Sequence, residues 1–457
     1  MKKHSDRRNT KTVQVQTEDQ AIKLSSPFLT DLDSRAAIKG SRDPLGVQSI
    51  WTRMGRQVVG NLTTVSTSVR DFTVTMLGYY FAERVAEETG AGDDLNVFLR
   101  WEQQAAYARG GGNNDWSFRG TERAKKNWNE SDRIRLGIDP DAFILGDQKT
   151  YGLWGLYSVP SRSSGLVEGS PTRLTADARD FVEEHYLPVL DGKARARGQG
   201  LVDILEKRSV ELRPKDRDSA LFGSVAKILR RKFGTAERSF YGRHLIEGGP
   251  TDSTQGGQRL LANVMKTTLA IEDWRLTPSN VQHLAKVCRD GVDDTSQEVA
   301  EFLDQIRNAE LLLAPCVSLF AYFLSSDNQR LDDVASKVRK QWGPGLASVD
   351  TKALEAIEPK LTDASGDSDS ARRWLVIAHA LTGGDYAMAI THLIDQNREV
   401  MALRGGAAPW VDIRDGKLHV KFVAETGNLP TREELPSHWI HSYFLDSLRT
   451  VTKELEA

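Results

Sequence analysis

A mainly α, multidomain helical protein with one β-hairpin near its C-terminus is the fold class this sequence predicts, on three observations. Apolar residues recur every three or four positions through most of the chain, the period of a helix with one buried face. Gly, Pro, Asp and Asn punctuate those stretches where helix ends and turns need them. At 457 residues the chain exceeds the size at which a single core stops growing, which predicts more than one domain.

The elements follow in order. Residues 1–34 open with MKKHSDRRNTKTVQVQTEDQ, basic and with no apolar stretch behind it, and predict a flexible arm rather than a leader or anchor. Around 40–60, an Asp43-Pro44 turn signal precedes Leu45, Ile50, Trp51, Met54, Val58 and Val59, spaced for a short amphipathic helix. Next, VGNLTTVSTSVRDFTVTMLG crowds Thr63, Thr64, Ser66, Thr67, Ser68, Thr73 and Thr75 ahead of Tyr79-Tyr80-Phe81. A phosphate loop would need more glycines and a lysine. A threonine or serine nucleophile would need an amine or a His-Asp pair that the sequence does not place. The run therefore reads as a helix start, with Thr64 or Ser66 capping, Asp71 near the positive end and Gly90 as the stop. A third helix runs from Asp94 to the triple glycine at 110–112.

Beyond these, two strand-like pieces flank Gly169-Ser170-Pro171 and a helix follows Thr175. DGKARARGQG at 191–200 reads as a linker, EGGPTDSTQGGQ as a loop, and LTDASGDSDS at 361–370 as a further boundary. The C-terminal part predicts two helices, a hairpin turning at Asp415-Gly416 between WVDI and LHVKF, and a last helix within WIHSYFLDSLRTVTKEL. The expected divisions are a helical domain at 35–190, a second helical region at 200–345 and a C-terminal region at 346–457.

Composition excludes several classes. Apolar residues make up 39% and charged residues 27%, and the longest apolar run, ELLLAPCVSLFAYFL, is broken by Pro315, so it predicts a buried, kinked helix rather than a membrane span. Cys288 and Cys316, the two cysteines, lie in apolar helical patterns and allow no disulfide framework; a cytoplasmic location is expected. The net charge of −2 hides an uneven spread, with fourteen Lys or Arg against six Asp or Glu between Lys193 and Arg243. A basic stretch of that kind can meet a polyanion, or be a solvated helix face.

The residues that could carry chemistry are few. FRGTERAKKNW, with Arg119, Arg123, Lys125 and Lys126 between Phe118 and Trp128, and KILRRKFGTAERSFYGRH, with Arg230, Arg231, Lys232 and Arg243, have the bases and aromatics that suit phosphates and stacked nucleobases. Glu102, between Trp101 and Ala105, falls near an apolar helix face and would want a cation; Arg70 is the favoured partner in a structural ion pair, with Arg109 as an alternative. Arg70 could instead face a phosphate. His438 and His441, three apart on an expected helix, have no further ligands beside them, so no metal and no cofactor is predicted. Asp415-Gly416-Lys417 matches only a fragment of a nuclease motif and reads as a turn.

Two resemblances add context. Residues 144–182, ILGDQKTYGLWGLYSVPSRSSGLVEGSPTRLTADARDFV, resemble the back half of a winged-helix domain, although VPSRSSG is short for a recognition helix and contains Pro160. DPLGVQSIWTRMGRQVVGNLTTVSTSVRDF is similar to the opening of uncharacterised bacterial proteins encoded in phage-defence islands beside helicase and phospholipase-D-type nuclease genes; Leu45, Gly46, Thr63, Thr64, Ser66, Arg70 and Phe72 carry the likeness. It implies a setting rather than a mechanism: a non-catalytic part of a defence or DNA-transaction complex, contacting nucleic acid and a helicase, ATPase or nuclease partner through basic surfaces. A hydrolase or nuclease with a dispersed metal-dependent site, and a pure protein scaffold, are the alternatives.

Overall fold

A computed structural model describes residues 43–90, 92–191, 198–362, 369–404, 406–422 and 427–457. The arm expected at 1–34 lies outside them, as do most of the linker at 191–200 and the centre of the 361–370 boundary. Helix takes 61% of the residues and strand 5%, so the mainly α class holds.

The Val47–Arg56 helix begins as the turn signal requires. The Asp43 carboxylate accepts from the amides of Val47 at 2.8 Å and Gln48 at 3.0 Å, and Gly46 supplies φ 74° at the helix start.

Behind it stands the Val69–Thr89 helix, buried on nearly every side along Val69–Ala82, the mark of a central core helix. The Asp94–Tyr107 and Leu153–Ser163 helices pack on it. A Cβ at Gly78 would collide with Phe98 and Trp101, so that glycine sets how closely the Asp94–Tyr107 helix approaches. The hydroxyl run does not cap this helix as expected. Ser68 holds the cap position without a side-chain bond, and Ser66 Oγ instead accepts from Thr63 N at 3.0 Å. The buried amide of Val69 donates to Glu454 Oε2 of the last helix, 2.6 Å away. Thr73 and Thr75 turn inward, to Tyr241 Oη and the Asp71 carbonyl.

The triple glycine likewise does more than stop a helix. After Tyr107 the chain widens into a π turn at Ala108–Gly112, and a Cβ at Gly110, Gly111 or Gly112 would strike Trp116, Trp128 or Ala226 in turn. Three strand pairs, all antiparallel, occur among the described residues: β1 (Ile134–Gly137) with β4 (Ser209–Leu212), β2 (Val167–Glu168) with β3 (Arg173–Leu174), and β5 (Val411–Arg414) with β6 (Lys417–Val420). The last is the expected hairpin, with Asp415 at φ 51° and Gly416 at φ 72° in its two-residue turn. Pair β1–β4 was not foreseen: its halves stand far apart in sequence, and each is too short to show a period.

Asp294–Leu324, 31 residues running through Pro315, is long and apolar enough to cross a membrane by length and composition, but 67% of its apolar window is buried inside the fold. The expected last helix is shorter than the pattern suggested: it spans Leu445–Glu456, and 438–444 is a non-helical strap laid along the Asp294–Leu324 helix. The apolar side chains from Leu45 to Leu455 form one continuous cluster, so the expected divisions near 190–200 and 345 do not separate independent cores.

Candidate functional site

Arg70 lies one residue inside the Val69–Thr89 helix, its side chain 2% exposed. It does not meet Glu102. Its Nη1 donates to Glu237 Oε1 at 2.5 Å, Nε to the Arg230 carbonyl at 2.7 Å and Nη2 to the Lys232 carbonyl at 3.3 Å, while Phe233 lies beneath the guanidinium, 3.9 Å from Cζ to ring centroid. Glu237 also accepts from Tyr186 Oη at 3.0 Å and from Gly234 N at 2.8 Å. Burial works against the Arg70 charge, yet the Glu237 hydrogen bond and charge hold its pKa above the ordinary value. The five donors and planar fork of arginine suit this task, because one side chain satisfies a carboxylate and two backbone carbonyls at once. As a result the 230–232 turn is clamped by its backbone, and the side chains of Arg230 and Lys232 stand in solvent.

A second buried cation fixes the neighbouring loop. Arg109, in the π turn, donates to Asp71 Oδ1 at 2.8 Å and to Asp115 Oδ2 at 2.6 Å. Asp115 in turn takes Arg231 Nη2 at 2.8 Å. Although burial opposes its charge, Arg231, Ser117 and Arg109 hold the Asp115 carboxyl well below the usual carboxylate range. Asp71 is the reverse: burial raises its pKa despite Arg109 and the Tyr157 hydroxyl. The chain Asp71–Arg109–Asp115–Arg231 thus runs from the core to the surface and joins the two basic segments, which are over a hundred positions apart in sequence, around one loop.

Each predicted basic residue can now be placed. Arg119, Arg123, Lys125, Lys126, Arg230 and Lys232 are all exposed and make no ion pair among the described residues; Arg123 Nη1 reaches the Phe143 carbonyl at 3.0 Å. Arg231 is committed to Asp115. Arg243 is apart from them, 3.4 Å from Asp177, whose carboxylate also takes His244 Nε2 at 2.7 Å. Arg231 thus ties the 230–232 turn to the 113–119 loop through Asp115, while Arg243 is tied to Asp177 instead.

Glu102 corrects the expected ion pair from the other side. No cation meets it. Its Oε1 accepts from Leu153 N at 2.7 Å and its Oε2 from Gln148 Nε2 at 2.8 Å, and Gln148 is itself held by Leu99 O and Gln103. Burial pushes the Glu102 carboxyl up to about 7, against the pull of those two donors. The Glu102 and Arg109 side chains share the lining of a cavity with Asp71, Phe118 and Arg119, with a volume of about 20 Å³, enough for one water and too little for a substrate.

The histidine pair is not a helical metal motif. His441 Nδ1 meets Glu310 Oε2 at 2.8 Å, and His438 Nε2 meets Ser318 Oγ at 2.8 Å. No group of three His, Cys, Asp or Glu suited to a metal ion occurs among the described residues. Glu310, missed in the sequence, accepts from Ile440 N, His441 N, His441 Nδ1 and Tyr443 Oη. Its one signal was a lone acid opening the longest apolar run. No protein-family model, curated protein or solved structure matches this chain.

Proposed function

We propose that this chain is a non-catalytic, cytoplasmic component of a bacterial anti-phage defence or DNA-transaction complex, and that it contacts nucleic acid through the ridge of Arg119, Lys125, Lys126, Arg230 and Lys232. The observation that carries this reading is the contrast between those exposed cations, none of which makes an ion pair among the described residues, and the buried Arg70 and Arg109, which fix the 230–232 turn and the 113–119 loop. A preorganised row of unpaired Lys and Arg releases counterions on meeting phosphates, which favours binding. The defence setting rests on the resemblance of residues 43–72 alone. The winged-helix-like segment is read as packing rather than DNA-reading, since Tyr157 and Pro160 of its first helix are buried and Tyr157 Oη donates to Val65 O.

Gel shifts of the purified chain with single-stranded DNA, duplex DNA and RNA at low salt test the reading; a retarded species is expected, and none with any of the three sinks it. Recovery of a helicase, ATPase or nuclease with the tagged chain from its native host would give the partner.

A further inference from the structure

The strap at 438–444 and the Val47–Arg56 helix enclose a second pocket, unrelated to the basic ridge. Its volume is about 310 Å³, at the lower end of the range for small-molecule sites. Trp51, Phe320, Val317 and Leu45 give it aromatic and aliphatic walls, and Asp43 and His441 supply the polar edge.

His441 is built for recognition. Trp51 stacks against its ring at 5.9 Å between centroids and 24° between planes, fixing its orientation. Glu310 is fully buried, and because two backbone amides donate to it, it acts as an acceptor; the Nδ1–H of the imidazole therefore faces Glu310. That leaves Nε2 with no partner among the described residues. The strap holding His441 is strained: Tyr443 and Phe444, consecutive aromatic residues, have φ 46° and 62°, a conformation found where a site is held in place. Pinned by Glu310 and pressed against Gly55, the strap cannot relax without moving His441.

We infer that this pocket binds a small, neutral, planar nitrogen heteroaromatic that stacks among Trp51 and Phe320 and hydrogen-bonds to His441 Nε2. Planarity follows from the aromatic walls. The hydrogen bond follows from Nε2, which has no partner among the described residues. Neutrality follows from the lining, whose one carboxylate, Asp43, already accepts from Val47 N and Gln48 N and pairs with Arg404 at 3.2 Å, so a phosphate would find no unpaired cation there.

Calorimetric titration of the full chain with adenine, 2-aminopyridine and AMP tests this. Saturable one-to-one binding of adenine or 2-aminopyridine is expected, with AMP weaker than adenine. Val317→Phe, which fills the pocket from a half-exposed position, should weaken binding at least about tenfold while leaving the far-UV spectrum and melting midpoint near those of the wild type. His441→Phe, which keeps the stack but removes the ring nitrogen, should weaken it as well. The inference is overturned if neither adenine nor 2-aminopyridine binds saturably at millimolar concentration, if Val317→Phe binds them as the wild type does, or if AMP binds more tightly than adenine.

Discussion

The two sides of the small cavity under the Asp94–Tyr107 helix treat buried charge in opposite ways. On one side Arg109 is locked between Asp71 and Asp115, and the network continues to the surface through Arg231. On the other, Glu102 has only the dipoles of Leu153 N and Gln148. A paired charge tolerates burial, whereas a carboxylate offered two neutral donors keeps its proton to about pH 7. The first side is therefore a scaffold that positions surface cations, and the second is a core group that responds to protons.

The sharpest way to break this contrast is Arg109→Met, which strands Asp71 and Asp115 without their shared cation. Removing one member of a buried ion network costs about 3–5 kcal/mol, read as a lower denaturant midpoint, and the 113–119 loop should lose hydrogen-exchange protection. Next comes Arg70→Lys. The charge stays but the fork is lost, so at least one of the Arg230 and Lys232 carbonyls and Glu237 goes without its donor; a loss of about 2–3 kcal/mol is expected, together with weaker nucleic-acid binding because the turn is released.

Glu102 gives the pH test. Its folded value of about 7 lies above the ordinary 4.5, so between these values the folded protein keeps a proton that the unfolded chain has given up. The stabilisation from this is complete below about pH 4.5 and is lost as pH rises through 7, a fall of about 3 kcal/mol across the window. Glu102→Gln should flatten that part of the stability profile relative to the wild type, in urea titrations from pH 5 to pH 8. An unchanged slope would mean that Glu102 is ionised throughout. The smallest effect on stability belongs to the ridge itself: Lys125→Ala or Lys126→Ala should change it by no more than about 0.5 kcal/mol, while each phosphate-contacting cation removed should lower the salt slope of binding by about 1.

How much of this could be read beforehand depended on distance along the chain. The Asp415-Gly416 turn, the Gly90 stop and the Thr175 cap were legible because each is decided by residues within a few positions; Thr175 Oγ1 does accept from Ala178 N. Partners set by tertiary packing were not. Glu237 reaches Arg70 from 167 positions away and Glu454 takes the Val69 amide from 385, so the expected Arg70–Glu102 pair and the Thr64 or Ser66 cap failed for the same reason. The 438–444 strap departed from its helical pattern because Glu310 offers its backbone and side-chain donors a better acceptor than a helix turn would. The basic residues were identified by type, but their grouping was not, since only Asp115 shows that Arg231 and the 113–119 loop belong together and that Arg243 stands apart.

The proposed nucleic-acid contact rests on exposed cations that make no ion pair among the described residues, with Arg70 and Arg109 fixing the 230–232 turn and the 113–119 loop. Fluorescence anisotropy of a labelled oligonucleotide titrated with the full chain between 50 and 200 mM salt tests it most directly, with Lys125→Ala/Lys126→Ala/Arg230→Ala/Lys232→Ala measured alongside. The expected result is a linear fall of log K with log salt in the wild type and a slope shallower by about 3–4 in the fourfold variant, whose melting midpoint stays near that of the wild type. Equal slopes for the two proteins, or no binding at 50 mM, would contradict the account.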